Sequence, residues 1–251
     1  MTNIIENRDF LKADLWDQWE ELKLDQRDGI PQPPVQKPIP EGSVLIDLVP
    51  PGSFELGEKT VIDVIRNRQS RRSYTADSIT QEELSYLLWA TQGVNQVVGK
   101  GQTLIKTVPS AGARHPIETY VFVNFVEGLE VGLYRYLGIE HKLLPLKIQE
   151  GLVYDIHKGT YEQYVLDSAV VFIWTSIPYR AEWRYGPLAH KMIAQDSGHI
   201  CQNLYIACES IGIGTCAIGA YNQKILDQIL DLDGEEEFSI YVATVGKISK
   251  K

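Results

Sequence analysis

The sequence is short of the residues that secreted and metal-holding proteins depend on. Its three cysteines, Cys201, Cys208 and Cys216, form no C-x-x-C pair. An odd count without a secretion signal predicts reduced thiols and a cytoplasmic protein, not a disulfide frame. Five histidines occur without H-E-x-x-H or another dense ligand spacing, so no metal site is expected. No apolar run reaches the roughly 18 residues of a membrane span, so no membrane partner is expected. The opening stretch, "MTNIIENRDFLKADLWDQWEELK", is charged throughout and does not read as a signal peptide. Positive charge is scarce too. Lys and Arg number 24 against 33 Asp and Glu, a net charge of −9. So acidic a chain is not expected to hold nucleic acid or an anionic membrane non-specifically.

What is present is ordinary for a globular protein: 44% hydrophobic and 23% charged residues in a chain of 251. That length suits one large domain or two small ones and allows a sizeable core. Residues 31–51 carry seven prolines and read as an extended arm. The apolar "SVLIDL" within it favours a strap laid on a partner surface. The expected division is an N-terminal helix with a proline-rich arm over 1–59, then one domain over 60–251.

Several elements can be placed. "TVIDVIRNR" predicts a short helix. "TQEELSYLLWATQG" predicts a helix that opens on a Thr80–Glu83 capping box and stops at Gly93. "TYVFVNF" reads as a strand, and "GLYRYL" with "KLLPLK" as a hairpin. "AVVFIWTS" is continuously apolar, which predicts a central strand covered on both faces. Residues 188–212 form the longest helical candidate, with Ser197 and Gly198 at its middle. "NQKILDQILDL" predicts a short helix capped by Asn222, and "FSIYVATVG" a last strand. Strands and helices mix without a strict βαβ rhythm, which points to α+β.

Four stretches could carry chemistry. "RNRQSRRSYT" packs Arg66, Arg68, Arg71 and Arg72 into seven positions of an acidic chain. Guanidinium groups with a hydroxyl suit a phosphate, and an ordinary charged helix end is the plainer alternative. "PSAGARH", with Ser110, Ala111, Gly112, Arg114 and His115, offers a small-residue approach to a planar ligand, or simply a tight connection. "SIGIGTCAIGAYN" opens from a helix end, so it is not a Rossmann phosphate loop; it reads as a flexible loop or as a backbone cradle for a flat ring. "YRAEWRYG" interleaves aromatics and cations on a presumed loop, with Tyr185 a candidate proton donor or acceptor. No Ser-His-Asp or Cys-His nucleophile set is visible.

Together these stretches resemble the FMN-dependent nitroreductase superfamily. More narrowly, they are similar to its SagB-type dehydrogenase branch, the azoline oxidases of thiazole/oxazole-modified peptide biosynthesis. The likeness runs from about Thr60 to Gly246. Its motifs are "RQSRRSY", "LLWATQGV", "TVPSAGARHPIETYVFV", "GLYRY", "RYG", "DSGHICQNLYIA" and "GIGTCAIGA".

The resemblance implies an α+β nitroreductase-like fold: a four- or five-stranded, mostly antiparallel sheet flanked by helices, in a homodimer with FMN at the subunit interface. It implies that Arg68, Gln69, Ser70 and Arg72 hold the FMN phosphate and ribityl chain. Ser110, Ala111 and Gly112, with His115, would line the flavin of the partner subunit. Ala217, Ile218, Gly219 and Ala220 would run along the isoalloxazine, with a backbone N–H near Gly219 on flavin N5. Lys247 and Lys250 would meet the phosphate, while Arg66 and Arg71 would face solvent or a partner. In the azoline oxidases a Lys-Tyr pair assists proton removal. The matching positions are Arg184 and Tyr185, the candidate catalytic pair, and an arginine cannot serve as the base. The chain ends five residues after Gly246, so an exchange of the N-terminal arm between subunits is expected in place of a C-terminal one.

The implied activity is an FMN-dependent oxidoreductase, a nitroreductase or dehydrogenase. It would pass two electrons via flavin N5 to or from a small organic or peptide-derived substrate. NAD(P)H is a possible donor. The alternatives are a non-catalytic FMN-binding, FMN-storing or flavin-fragmenting protein, or a dimeric interaction domain without cofactor.

Overall fold

The computed structural model describes residues 4–249, so Lys250 lies outside the described residues. The chain begins with α1 (Ile4–Asp9) and a 3-10 turn, Asp14–Glu21. An extended arm follows that contains β1 (Ile46–Asp47). Then come α2 (Val61–Asn67), α3 (Gln81–Gln92), the hairpin of β2 (Val94–Val98) and β3 (Thr103–Lys106), and β4 (Ile117–Val123). Next are β5 (Gly132–Leu137), β6 (Lys142–Lys147), α4 (Leu152–Gly159), β7 (Val170–Ser176) and α5 (Tyr179–Tyr185). The chain closes with α6 (Ala189–Ser210), β8 (Gly214–Ile218), α7 (Gln223–Ile229) and β9 (Phe238–Gly246).

One seven-stranded sheet organises the molecule in the order β1-β6-β5-β4-β7-β9-β8. Every neighbouring pair is antiparallel. The α+β class holds, and the sheet exceeds the four or five strands expected. The extra edges are short: two residues of the arm at one side, and β8 at the other. Strand alternation sorts the core into two halves. Val121, Val123, Phe172 and Trp174 pack with Leu84, Leu88, Ile200 and Leu204 of α3 and α6. On the other face Tyr120, Phe122, Val171 and Ile173 pack with Leu152, Ile156, Leu226 and Ile229 of α4 and α7. Burial on both sides explains why β4 and β7 read as unbroken apolar runs.

Local chemistry sets the ends of α3. Thr80 Oγ1 accepts from the Glu83 N–H at 3.1 Å, and the Thr80 N–H donates to Glu83 Oε2 at 2.8 Å. Asn222 caps α7 by accepting from the Ile225 N–H.

Two expectations fail at the level of elements. Residues 179–185, read as a loop, form α5. Gly186 ends that helix at φ +52°, where a Cβ would crowd Leu24. Residues 214–218, read as a glycine loop, form edge strand β8. The one glycine of this strand, Gly214, serves close packing. A Cβ on Gly214 would meet Ile248 at 2.5 Å and Arg71 at 2.8 Å.

The arm lies on its own chain, against the expected exchange. Leu24 is buried, and the Gln26 N–H donates to the Trp183 carbonyl at 2.9 Å. Trp183 Nε1 donates to the Ile30 carbonyl at 2.8 Å. Lys37 drops its ammonium onto Glu237 at 2.5 Å and Tyr120 at 3.1 Å, and Arg135 grips the Pro38 carbonyl at 2.7 Å. β1 then pairs with β6.

Candidate functional site

Helix α6 carries two polar centres. One is at Tyr205, beside the arginine segment. The other is at Asp196, beside the small-residue turn. They stand nine residues apart, about 14 Å at 1.5 Å per residue.

The first centre forms because the segment after α2 cannot stay helical. Residues 71–75 run extended across the ends of β8 and β9. The Arg71 N–H donates to the Thr215 carbonyl at 2.9 Å, and the Thr75 N–H to the Lys247 carbonyl at 3.1 Å. Tyr74 is buried and bonds both oxygens of Thr244. Anchored at these points, the segment presents its side chains unequally. Arg66 pairs with Asp63 at 3.0 Å and Arg71 with Glu209 at 3.6 Å. The Gln69 side-chain amide faces the Arg71 guanidinium. Among the described residues Arg68 and Arg72 make no ion pair. The Arg68 guanidinium lies over the Tyr205 ring, 5.3 Å from its centroid. Ser70 Oγ and Tyr205 Oη share a hydrogen bond of 2.9 Å, and the Ala217 N–H donates to Tyr205 Oη at the same distance.

The cluster thus divides. Arg68 and Arg72 keep uncommitted cations at the Ser70–Tyr205 centre. Arg71, expected to face solvent or a partner, is half-buried on Glu209 within its own chain. Ala217 is half-buried and Gly219 and Ala220 are exposed. Nothing stands within 4 Å of where a Gly219 Cβ would sit, so a flat group can approach there. The Ile218 side chain is buried in the core, so only its backbone could line a ligand. Cys216 faces Arg72, Ser70 and Tyr205, yet burial pushes its thiol pKa up, which disfavours the thiolate. Lys247 is committed to Glu83 at 2.5 Å.

The second centre is built around Gly112, at φ +56°. A Cβ there would lie 2.4 Å from Tyr185 Oη and 3.2 Å from Arg184 Cδ and Nε. Only glycine admits both the conformation and those neighbours. Asp196, buried in mid-α6, holds the turn: Ser110 Oγ donates to it at 2.5 Å and the Ala111 N–H also reaches it. Burial raises the Asp196 pKa. The pair Arg184 and Tyr185 is therefore brought to the turn that the sequence assigned to a ring. The turn of 14–21 covers them, with Trp16 and Trp19 at 6.4 and 6.0 Å from the Tyr185 ring.

His115 does not join this lining. It is buried, its Nε2 lies 3.0 Å from the Leu104 carbonyl, and burial brings its pKa down to about 3. It is a neutral core histidine. Beneath it Arg180 pairs with Glu118 at 2.6 Å, both almost wholly buried. Arg114 stacks on Trp183 and donates through Nε to the Arg180 carbonyl at 2.8 Å, leaving Nη2 without a partner.

Sequence reasoning missed Tyr205, Asp196 and the two tryptophans. Asp196 had a signal: it lies three residues from Ile193 and four from Ile200, on the apolar stripe of α6. Tyr205 had none, since its role depends on which strand packs beside it. Among the described residues no cluster suits a metal ion, and no helix is long and apolar enough to cross a membrane.

Comparison with known proteins gives consistent likenesses. A profile of the nitroreductase family matches residues 65–247. A Methanocaldococcus jannaschii protein named as a nitroreductase, MJ1384, is 30% identical over 194 residues, 77% of this chain and 93% of the relative. The trifolitoxin-processing protein TfxB of Rhizobium leguminosarum bv. trifolii is 28% identical over 197 residues, 75% of this chain and 52% of TfxB. The chain thus spans about half of TfxB. Among solved structures, a chain of the Escherichia coli microcin synthetase McbBCD complex with truncated pro-MccB17 superposes at a TM-score of 0.61 and 15% identity, over 100% of this chain and 99% of that one. At that identity the likeness concerns the fold, and it includes the arm.

Proposed function

The chain belongs to the nitroreductase family, and from that premise we propose that it is an FMN-dependent oxidoreductase of the SagB-type branch, acting on a peptide-derived substrate. One observation carries the cofactor reading: Arg68 and Arg72 stand without ion pairs, among the described residues, where Ser70, Tyr205 and the Ala217 backbone converge. Two uncommitted guanidiniums next to a hydroxyl fit a phosphate. The open side of Gly219 beside half-buried Ala217 fits a flat ring.

Arg68, Ser70 and Arg72 would hold the phosphate end, with Gln69 at the ribityl chain. Ala217, Gly219 and Ala220 would lie along the ring. Ser110 to Gly112 would meet the flavin of a second subunit, which fits the 14 Å or so between the two centres on one α6. Bound there, FMN would supply two-electron chemistry. The chain's own part is placement and proton handling. Tyr185, its hydroxyl against Gly112, can hold or move a proton. Arg184 stays charged and can only bind an anion. The likeness to TfxB supports a peptide-derived substrate.

The test is direct. Purified protein, or protein given FMN and desalted, should be yellow with visible flavin bands, and NAD(P)H or an azoline-containing peptide should bleach them. A colourless protein that does not retain added FMN defeats the reading. Retained flavin that neither donor reduces, and that no peptide oxidises or reduces, would mark a flavin store.

A further inference from the structure

The Gly112 turn holds more positive charge than the described chain neutralises. Arg114 is 4% exposed, and its Nη2 has no hydrogen-bond partner. A buried guanidinium with an unmade bond is costly, and such groups mark a missing acceptor. Arg114 is not free to swing out, because Nε is tied to the Arg180 carbonyl at 2.8 Å and the group is stacked 4.9 Å from the Trp183 centroid. Arg184 is next to it, with its guanidinium carbon 5.5 Å from the Tyr185 centroid. Among the described residues Arg184 has no ion pair. Of the nearby carboxylates, Glu118 is paired with Arg180, while Asp196 is held by the Ser110 hydroxyl and Glu182 by His190; among the described residues none pairs with Arg114 or Arg184. Burial, and then the Arg184 charge, lower the Arg114 pKa, as expected of two neighbouring cations that are not paired with a carboxylate.

The surroundings describe the rest of a ligand. Trp16 and Trp19 roof Tyr185. Trp16 is also a wall of a neighbouring cavity of about 620 Å³, lined by apolar Phe10, Leu188 and Met192 and by charged Lys12, Asp14 and Lys191. That volume suits a small organic group or a peptide side chain. The roof is held from outside by Arg27, which stacks on Trp19 at 4.7 Å and donates to its carbonyl at 2.9 Å. The turn buries no residue of its own.

We propose that Arg114 and Arg184 form a carboxylate subsite for the substrate, with Trp16, Trp19 and Tyr185 enclosing the apolar body that the carboxylate is attached to. This rests on the oxidoreductase reading above and narrows its substrate class to anionic, partly apolar molecules. Arg184 makes the outer contact and Arg114 the inner one.

The test is calorimetric titration with phenylacetate and with phenylacetamide, its neutral counterpart, at fixed ionic strength. FMN-loaded protein is used first. The acid should bind at least tenfold tighter than the amide. Arg184→Met should bring the two within about twofold of each other, and Arg184→Lys should keep part of the preference. Arg184 is half-exposed, so these variants avoid the folding risk of changing Arg114. Equal binding of acid and amide to the wild-type protein, binding of neither, or a preference unchanged in Arg184→Met would each overturn the subsite. Repeating the titration without FMN separates the two claims. A protein that retains no FMN yet prefers the acid keeps the subsite and loses the oxidoreductase reading. One whose bound flavin is reduced by a donor and that shows no preference does the reverse.

Discussion

Arginines gather twice in this chain, once over residues 66–72 and once around Gly112, and the two gatherings end in opposite states. In the first, the side chains reach the surface, and each surplus charge is either paired with a nearby carboxylate or left beside the Tyr205 centre. In the second, Arg114 and Arg180 are buried, and Arg180 is paired with the equally buried Glu118. Water decides the difference. At the open cluster it screens unpaired guanidiniums, so a ligand can gain from them without the fold having depended on them. At the closed cluster an unpaired charge is expensive, so the same residue type becomes part of the structure.

The largest effect should come from taking the counter-ion out of the closed cluster. Burial alone would raise the Glu118 pKa, but Arg180 and Lys106 outweigh it and hold the carboxyl below its ordinary range. Glu118→Ala would leave Arg180 buried and unpaired, and the Lys37 N–H without its acceptor. A loss of about 3–5 kcal/mol in urea unfolding is expected. Asp63→Ala, which frees Arg66 at the open cluster and removes the acceptor of the Thr60 hydroxyl at the start of α2, should cost no more than about 1.5 kcal/mol. Equal costs for the two variants would erase the distinction.

Acid should act next, and only on the closed side. His115 titrates near 3 in the folded chain, against about 6.5 when unfolded. Between those values the unfolded chain binds a proton that the folded one refuses, so stability falls as pH drops from about 6.5 toward 3. From pH 7 to 4.5 this one group accounts for a loss on the order of 2 kcal/mol. His115→Gln should remove that part of the slope while keeping a donor for the Leu104 carbonyl. Identical urea midpoints against pH for variant and wild type would show that His115 is not sealed from water.

At the open cluster, ligand and fold should separate. Arg68→Ala and Arg72→Ala should each weaken FMN retention by about 1.5–3 kcal/mol, the worth of a charge-assisted bond. Their unfolding midpoints should stay near wild type. Flavin titration beside urea unfolding reads both. A variant that unfolds early while holding FMN normally would place its arginine with the structural cluster instead.

The sequence shows this contrast only in part, and the reasons are physical. Local signals are legible: Thr80 and Glu83 spell out the cap of α3, and the apolar run at 170–176 announces a doubly covered strand. Signals that depend on distant partners are not. The stretch 212–219 reads as a loop because Gly214, in a short edge strand, is small for the same reason a loop residue is, close approach of a neighbour, while Gly212 at φ +74° is a true turn glycine. Proline content marks the arm as extended but does not say which chain it lies on; that is decided by Lys37 meeting Glu237, two hundred residues away. Arg71 carries the same charge as Arg72. It differs because the Thr215 carbonyl fixes its backbone and Glu209 lies in reach of its side chain.

The smallest effect is also the finest test of how the open cluster divides. Arg66 lies in the last turn of α2, solvent-exposed, and bonded to Asp63 three residues earlier. Pairs of this kind contribute about 0.3–0.5 kcal/mol on a helix surface. Arg66→Ala should therefore lower stability by about that much and leave FMN retention within twofold of wild type, although it removes as much charge as Arg68→Ala does. If retention fell equally in both, the flavin phosphate would be sensing the summed field of the segment. The distinction between committed and uncommitted arginines would then carry no weight there. If only Arg68→Ala and Arg72→Ala release flavin, the site depends on which guanidiniums the fold has left without a partner.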